Sequence, residues 1–536
     1  MNDAFWAALL ASLLTIFYLR LNDAKLTRLP EEAAGISPER WSDEQIRGCY
    51  TSLKGGPSSL LDGKLPPKTG RRYIVVGGVS LFSLCEAMFP NNGRAQAGFL
   101  GGWIVLHLLQ RGEDPRCIRV LDIRPPTRRD LKEGLARNVD FIQVDIMNRD
   151  RVFEAFRKPW ANADYPGIHD PELTIFHTAA TIRFYERHPE LLHLSESVNV
   201  HGTQNLLDAA CAVGARTFIY TSSGSVGVRR SCFWLFPWQK EPPYFTQVLT
   251  DDEENLPKHH NQFFSNYAVS KLTAERRVRA ADRSKSGDSI LRTGCIRPGN
   301  GVFGPGGDLL VDMYMVTKYN LTWIQSIMQS FAYVENCSYA HLLYEQRLIE
   351  LQNGSSNPDI GGDAFCIADS GPPPTYGDIH HALTLLSNGE VVFHNLSISA
   401  MLAIAHLVEW YYLGRRFLAN SRFSLLARLI PQVAGMVVFL QPSMFALTIV
   451  HLYFDDSRAR LPPEKGGLGY TSHCTTLQGV CQVVIDYYRN GRKGTSRSIA
   501  GHFETTQSSV VGAELAVGAA MEKLGEGLPD AKKALN

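Results

Sequence analysis

Neither charge is in excess in this sequence: 54 Lys and Arg stand against 53 Asp and Glu, for a formal net charge of +1. A nucleic-acid binder needs a basic stripe to meet phosphates, so no nucleic-acid partner is expected. Close cysteine pairs are also missing. The ten cysteines include no Cys-x-x-Cys spacing, which offers no zinc or disulfide framework, and no metal is expected. Scattered thiols suit a reduced, cytosol-facing body. There are no internal repeats. A cleaved signal peptide would need a basic stretch before the first apolar run and a small-residue site after it, and neither is present.

What is present at the N-terminus is an apolar run, Ala4 to Leu19, followed by Arg20, Lys25 and Arg28. A span takes about 20 residues, and interfacial Tyr18 and Arg20 can extend this one. Residues 1–24 therefore read as an uncleaved membrane anchor, with basic flanks that leave the body on the cytosolic side. Residues 25–70 are polar and broken by Pro30, Gly55-Gly56-Pro57 and Pro66-Pro67, the composition of a linker. Residues 501–536, rich in Ser, Gly, Ala and Lys, read as a mostly disordered tail.

A strand-like run, Tyr73 to Val76, ends in Gly77-Gly78, and Gly98-Phe99-Leu100-Gly101 opens a helical run. Between them lie Val79 to Gln96, without periodicity. Joined across that gap, the ends make a glycine-rich strand-to-helix turn of the dinucleotide-binding kind. Such a site places an acidic residue about 20 positions later to take the ribose hydroxyls. Asp122 is at that distance from Gly101, not from Gly77. Asp122 favours NAD, and the nearby Arg124 leaves NADP open. Val79-Ser80 can be encoded by GTGAGT and Gln96 by CAG, the usual ends of an intron. Residues 79–96 are thus expected to be an unspliced intron that keeps frame.

Further strand candidates are Ile118–Leu121, Phe141–Val144, Leu173–Phe176, Thr217–Tyr220 and Leu291–Ile296, with helical runs between several of them. That alternation predicts an α/β fold, a Rossmann-type doubly wound parallel sheet over residues 71–300, with a smaller C-terminal substrate lobe over 301–500. Tyr267 and Lys271 share a helix face at i and i+4. The same spacing at Tyr50/Lys54 and Tyr314/Lys318 carries nothing by itself. Only the 267/271 pair follows a completed set of nucleotide-binding strands and a strand end bearing Ser223. Two late apolar segments, 396–416 and 430–454, read as membrane-associated, although Glu409 argues against a simple span for the first. The aromatic run Phe233 to Trp238 reads as a lid over the pocket or a surface loop.

These residues resemble the extended short-chain dehydrogenases/reductases, and within them the 3β-hydroxysteroid dehydrogenase family, over roughly residues 72–490. The markers are the joined Gly turn, Asp122, Asp145-Ile146, His177-Thr178-Ala179-Ala180, Asn199 to Asn205, Tyr220 to Ser223, the Tyr267/Lys271 pair, Arg297-Pro298 and Tyr333 to Asn336. The resemblance implies a catalytic set of Ser223, Tyr267 and Lys271, with Asn199 supporting the lysine through a water. It implies cofactor binding by Gly77, Gly78, Gly98, Phe99, Leu100, Gly101, Asp122, Asp145, Ile146, Tyr267, Lys271 and Pro298. The expected reaction is NAD-dependent oxidation of a 3β-hydroxyl on a sterol or triterpenoid, with decarboxylation at C4 left open. The expected setting is the endoplasmic reticulum membrane, and a homodimer is compatible. A reductase or epimerase acting on another substrate stays open, as does a catalytically impaired dinucleotide-binding protein if residues 79–96 are truly present.

Overall fold

All six of the apolar runs become adjacent parallel strands, five of them with their β-branched and aromatic residues largely buried on both faces. The computed structural model describes residues 2–56, 59–77, 99–126, 128–161, 171–308, 310–433 and 435–490. Its main sheet contains β1 (Arg72–Val76), β2 (Ile118–Asp122), β3 (Asp140–Gln143), β4 (Leu173–His177), β5 (Thr217–Thr221), β6 (Arg292–Pro298) and β7 (Ala364–Ile367). The spatial order is β7-β6-β5-β4-β1-β2-β3, all parallel. Chain order reverses at β1, which pairs with β2 on one side and β4 on the other. The carboxyl ends of the strands at that reversal form the ligand crevice of such sheets.

Alternation along each strand sorts the core into two layers. Tyr73 and Val75 point to α2 (Phe99–Gln110), while Ile74 and Val76 pack with α3 (Arg149–Arg157) and α4 (Thr203–Ala212). A π-helical turn, Ser197–Gly202, feeds α4; insertions of this type concentrate at functional positions. The next helix, α5 (Asn266–Ala280), starts at Ser265, whose side chain accepts from the Ala268 amide.

Three expectations about the domains need correction. The sheet does not end near residue 300: β7 and the helix α6 (Val334–Gln352) return to it, and α6 packs on α2 in the same core layer. Residues 25–70 are not a free spacer. They hold the helices Glu31–Ile36 and Asp43–Leu53, the second with a Ser42/Gln45 capping box and a fully buried Ile46. Arg40 pairs with Asp378 at 2.7 Å and Asp43 with His381 at 2.7 Å, fastening this stretch to the body. The later apolar segment is interior over 442–454. Phe445, Ile449, Val450 and Leu452 are fully buried, and His451–Phe454 pairs with Thr246–Leu249.

The remaining helices that matter are α1 (Asn2–Leu26), α7 (Ile398–Ala419) and α8 (Thr476–Arg489). At 1.5 Å per residue, α1 is about 38 Å long, against about 30 Å of bilayer hydrocarbon. Among the described residues it is the helix long and apolar enough to cross a membrane. The Phe233–Trp238 run docks its Phe233 and Leu235 in the core and exposes Phe236 and Trp238, stacked at 4.9 Å. Gly78, Gly98, the suspected intron 79–96 and the tail 501–536 lie outside the described residues.

Candidate active site

The glycine turn is held by sterics that only glycine satisfies. Gly77 has φ +78°, and a Cβ on it would sit 2.0 Å from that of Ala179. A Cβ on Gly101 would lie 2.1 Å from the Gly77 carbonyl oxygen, so strand and helix meet backbone to backbone. The Thr178 hydroxyl donates to that same carbonyl at 2.6 Å. Beside the turn lies a cavity of about 270 Å³ whose lining includes Gly77, Gly101, Gly102, Asp122, Lys132 and Arg137. Asp122 ends β2, buried; one carboxylate oxygen accepts from the Arg124 amide at 3.2 Å and the other has no partner among the described residues. Burial pushes its pKa up to about 7. A buried acceptor without a donor, facing a glycine-lined cavity, fits a ribose diol.

The other implied cofactor positions divide. Asp145 accepts from the Met147 amide at 2.9 Å, and Ile146 packs against Gly202. Neither is among the described residues lining the cavity, nor are Phe99 and Leu100, which open α2. Pro298 closes β6 next to Gly224: a Cβ on Gly224 would lie 2.7 Å from the Pro298 carbonyl.

Ser223, Tyr267 and Lys271 are brought together at the carboxyl ends of β5 and β6. Ser223 follows β5, its hydroxyl 2.7 Å from that of Ser225 and near enough to the Tyr267 phenol to oppose the effect of burial on it. Tyr267 is buried in the first turn of α5, and burial pushes its pKa up to about 12 despite the nearby Ser223 hydroxyl. Lys271 lies one turn further on. Its ammonium donates to the Thr221 carbonyl at 2.6 Å and sits 4.2 Å from the centre of the Tyr220 ring. Burial lowers its pKa to about 7, with Glu275 opposing. Lys271 therefore does not offset the effect of burial on Tyr267 in this arrangement. The ammonium is turned to a backbone carbonyl, and burial dominates both groups.

Asn199 sits in the π-helical turn. Its side-chain oxygen accepts from the Thr181 amide at 2.7 Å, and its amide group donates to the Thr181 carbonyl at 3.1 Å and the Ser270 hydroxyl at 2.9 Å. It thus ties the loop after β4 to the helix that carries Tyr267 and Lys271.

A family model described as "3-beta hydroxysteroid dehydrogenase/isomerase family" matches residues 95–389, more than half of the chain. The chain belongs to the 3-beta hydroxysteroid dehydrogenase/isomerase family. Among curated relatives, 3beta-hydroxysteroid-dehydrogenase/decarboxylase isoform 2 of Arabidopsis thaliana is 27% identical over 69% of this chain and 57% of its own length. Isoform 1 is 27% identical over 65% of this chain and 67% of its own length. The 3 beta-hydroxysteroid dehydrogenase type 7 of Homo sapiens is 29% identical over 53% and 69%. The chain spans 57% of the length of the first of these relatives. Among solved structures, the UDP-glucose 4-epimerase of Thermotoga maritima overlays with a TM-score of 0.47 at 16% identity, covering 78% of this chain and 99% of that one.

In this member of the 3-beta hydroxysteroid dehydrogenase family, the sequence reading missed the carboxylate behind the lysine. Glu275 is fully buried one turn beyond Lys271 and holds Arg297 of β6 in a two-point ion pair, at 2.6 and 3.0 Å. The i, i+4 spacing of Lys271 and Glu275 was visible. The arrival of Arg297 from another element was not.

Proposed function

We propose that this protein oxidises a 3β-hydroxyl of a sterol or triterpenoid to the ketone with NAD, at the cytosolic face of the endoplasmic reticulum membrane. The supporting observation is the convergence of the Ser223 hydroxyl, Tyr267 and Lys271 on one buried spot at the strand ends, two strands from the Asp122 cavity. The family match and its relatives named as hydroxysteroid dehydrogenases support the substrate class, and α1 supports the membrane setting.

Ser223 and Tyr267 would hold the substrate hydroxyl between them, and the Tyr267 oxygen would receive its proton. That demands phenolate, which the low-dielectric site disfavours. Lys271, one helical turn away, would stabilise it by turning its ammonium from the Thr221 carbonyl toward the tyrosine. NAD, its ribose diol on Asp122 and its pyrophosphate at the glycine turn, would supply the hydride acceptor. Where the substrate carries a C4 carboxyl, the 3-ketone is a β-keto acid and can lose carbon dioxide without a dedicated residue.

The test is Tyr267→Phe, assayed with membrane sterols and with nucleotide-sugars. NAD binding should persist while sterol turnover falls by roughly 10² to 10⁴. Turnover of nucleotide-sugars but not sterols, or sterol turnover indifferent to Tyr267→Phe, would overturn the reading.

A further inference from the structure

Helix α7 is built inside out for a helix facing water. Its inward stripe carries Ile398, Leu402 and Ala405, and also Glu409, which forms a two-point ion pair with Arg187 at 2.6 and 2.7 Å. On the same side, the Tyr412 hydroxyl donates to Glu186 at 2.6 Å. Its outward stripe, at 3.6-residue spacing, is Ile404, Leu407, Trp410, Tyr411 and Phe417. Leu407 is 60% exposed and Trp410 66%. A water-facing helix places its charge outward, so this polarity points to a different solvent.

The patch continues past the helix. Leu425 and Leu429, in the turn that follows α7, are 70% and 80% exposed. Between residues 398 and 430 the basic side chains are Arg415, Arg416, Arg422 and Arg428, against the single, already paired Glu409. Exposed leucines with an aromatic belt and a basic rim are the chemistry of an interfacial helix on an anionic lipid surface.

The body also fixes this patch beside α1. Asn22 donates to the Phe233 carbonyl and to the Ser399 hydroxyl of α7, both at 2.9 Å, and accepts from the Leu235 amide. The Asp23 carboxylate accepts from the Ser399 amide at 2.7 Å. Lys25 donates to the carbonyls of Phe236 and Pro237, beneath the exposed Phe236/Trp238 stack. The exit point of α1 is thus clamped rigidly to the start of α7.

We infer that α7 and the turn through Leu429 form a second lipid-contacting surface, lying in the plane of the leaflet where α1 enters the bilayer, with an anionic phospholipid as its partner. The inference rests on α1 being a membrane anchor. It also links the membrane to the catalytic site. The Arg187 and Glu186 segment held by α7 bonds through the Glu186 carbonyl to the amide of Asn266, the residue before Tyr267.

The experiment reconstitutes the full chain into phosphatidylcholine vesicles with and without phosphatidylserine, each containing a photoactivatable phospholipid, and maps the cross-linked peptides. Cross-links in α1 and in 404–429, the latter enhanced by phosphatidylserine and lost in Leu407→Gln/Trp410→Gln, are expected. Sterol turnover in detergent should remain in that variant, showing that it folds. Cross-links confined to α1 overturn the second surface and leave the anchor standing. Cross-links absent from α1 overturn the anchor reading as well. Protein-to-protein cross-links between copies at 404–429 without lipid adducts assign the patch to a dimer and also overturn it.

Discussion

Lys271→Met should stabilise the protein at neutral pH while removing its proposed activity. The buried ammonium titrates near 7 instead of 10.5, chiefly because burial disfavours its charge. At about 1.4 kcal/mol per pH unit, that gap corresponds to about 5 kcal/mol of folding free energy. The sign follows from proton counting. Between about 7 and 10.5 the unfolded chain binds the proton more strongly than the folded one, so wild-type stability from this group rises with pH. Its cost is complete below about pH 7 and vanishes near 10.5. Methionine removes that cost but forfeits the charged hydrogen bond to Thr221, about 1.5–3 kcal/mol. The net expected gain is about 2–3 kcal/mol at pH 7, shrinking steadily toward pH 10. Urea unfolding of both proteins in the same detergent, at several pH values, measures it. A variant less stable than wild type at pH 7, or a difference that does not change with pH, would refute the reasoning.

Arg297→Met should cost about 3–5 kcal/mol, because it strips the fully buried Glu275 of its two-point partner and leaves it the longer 3.8 Å contact with Arg279. The double change Arg297→Met/Glu275→Leu should cost much less than the single one, and a cycle of unfolding curves reads the coupling. Because Asp122 titrates near 7, NAD affinity should weaken as pH falls below that value, where the carboxyl becomes protonated and loses acceptor strength. Asp122→Asn should bind NAD roughly 10- to 100-fold more weakly, from loss of a charged hydrogen bond; calorimetry across pH checks both. Deleting residues 79–96 should restore a continuous glycine turn and tighten NAD binding. Mass spectrometry of active protein from cells should find no peptide from that stretch; detecting one would sink the intron proposal.

The family match begins at residue 95, although β1, at residues 72–76, is the central strand at which chain order reverses. That offset is what an insertion between strand and helix produces, and it supports the reading made from the glycines and the distance to Asp122. Local signals were strong wherever one short segment carries the whole requirement. The strands of the sheet show in β-branched runs, and the proposed phosphate turn shows in its glycines, of which Gly77 and Gly101 leave no room for a Cβ. The i, i+4 spacing of Tyr267 and Lys271 fixed their shared face but not their ionisation. The direction of the Lys271 ammonium depends on the Thr221 carbonyl, contributed by a different strand.

Boundaries and burial were less legible, because hydrophobicity alone does not say what covers it. Segments 396–416 and 430–454 look alike in composition. One becomes a helix that exposes its apolar stripe, and much of the other fills the core around Phe445 and Leu452. Residues 25–70 have a linker's composition, yet one capping box and the buried Ile46 fasten them to the body.

By itself, then, the sequence determined six strands of the sheet, the glycine-rich stretch that follows the first of them and the helix face shared by Tyr267 and Lys271, since each rests on backbone preference or short spacing; the proposed catalytic roles rest on the family resemblance. Only the tertiary structure decided that β7 completes the sheet and α6 covers it, that Glu275 and Arg297 stand behind Lys271, and that α7 turns its one carboxylate inward. Those features depend on which distant elements meet, and on the desolvation that follows when they do.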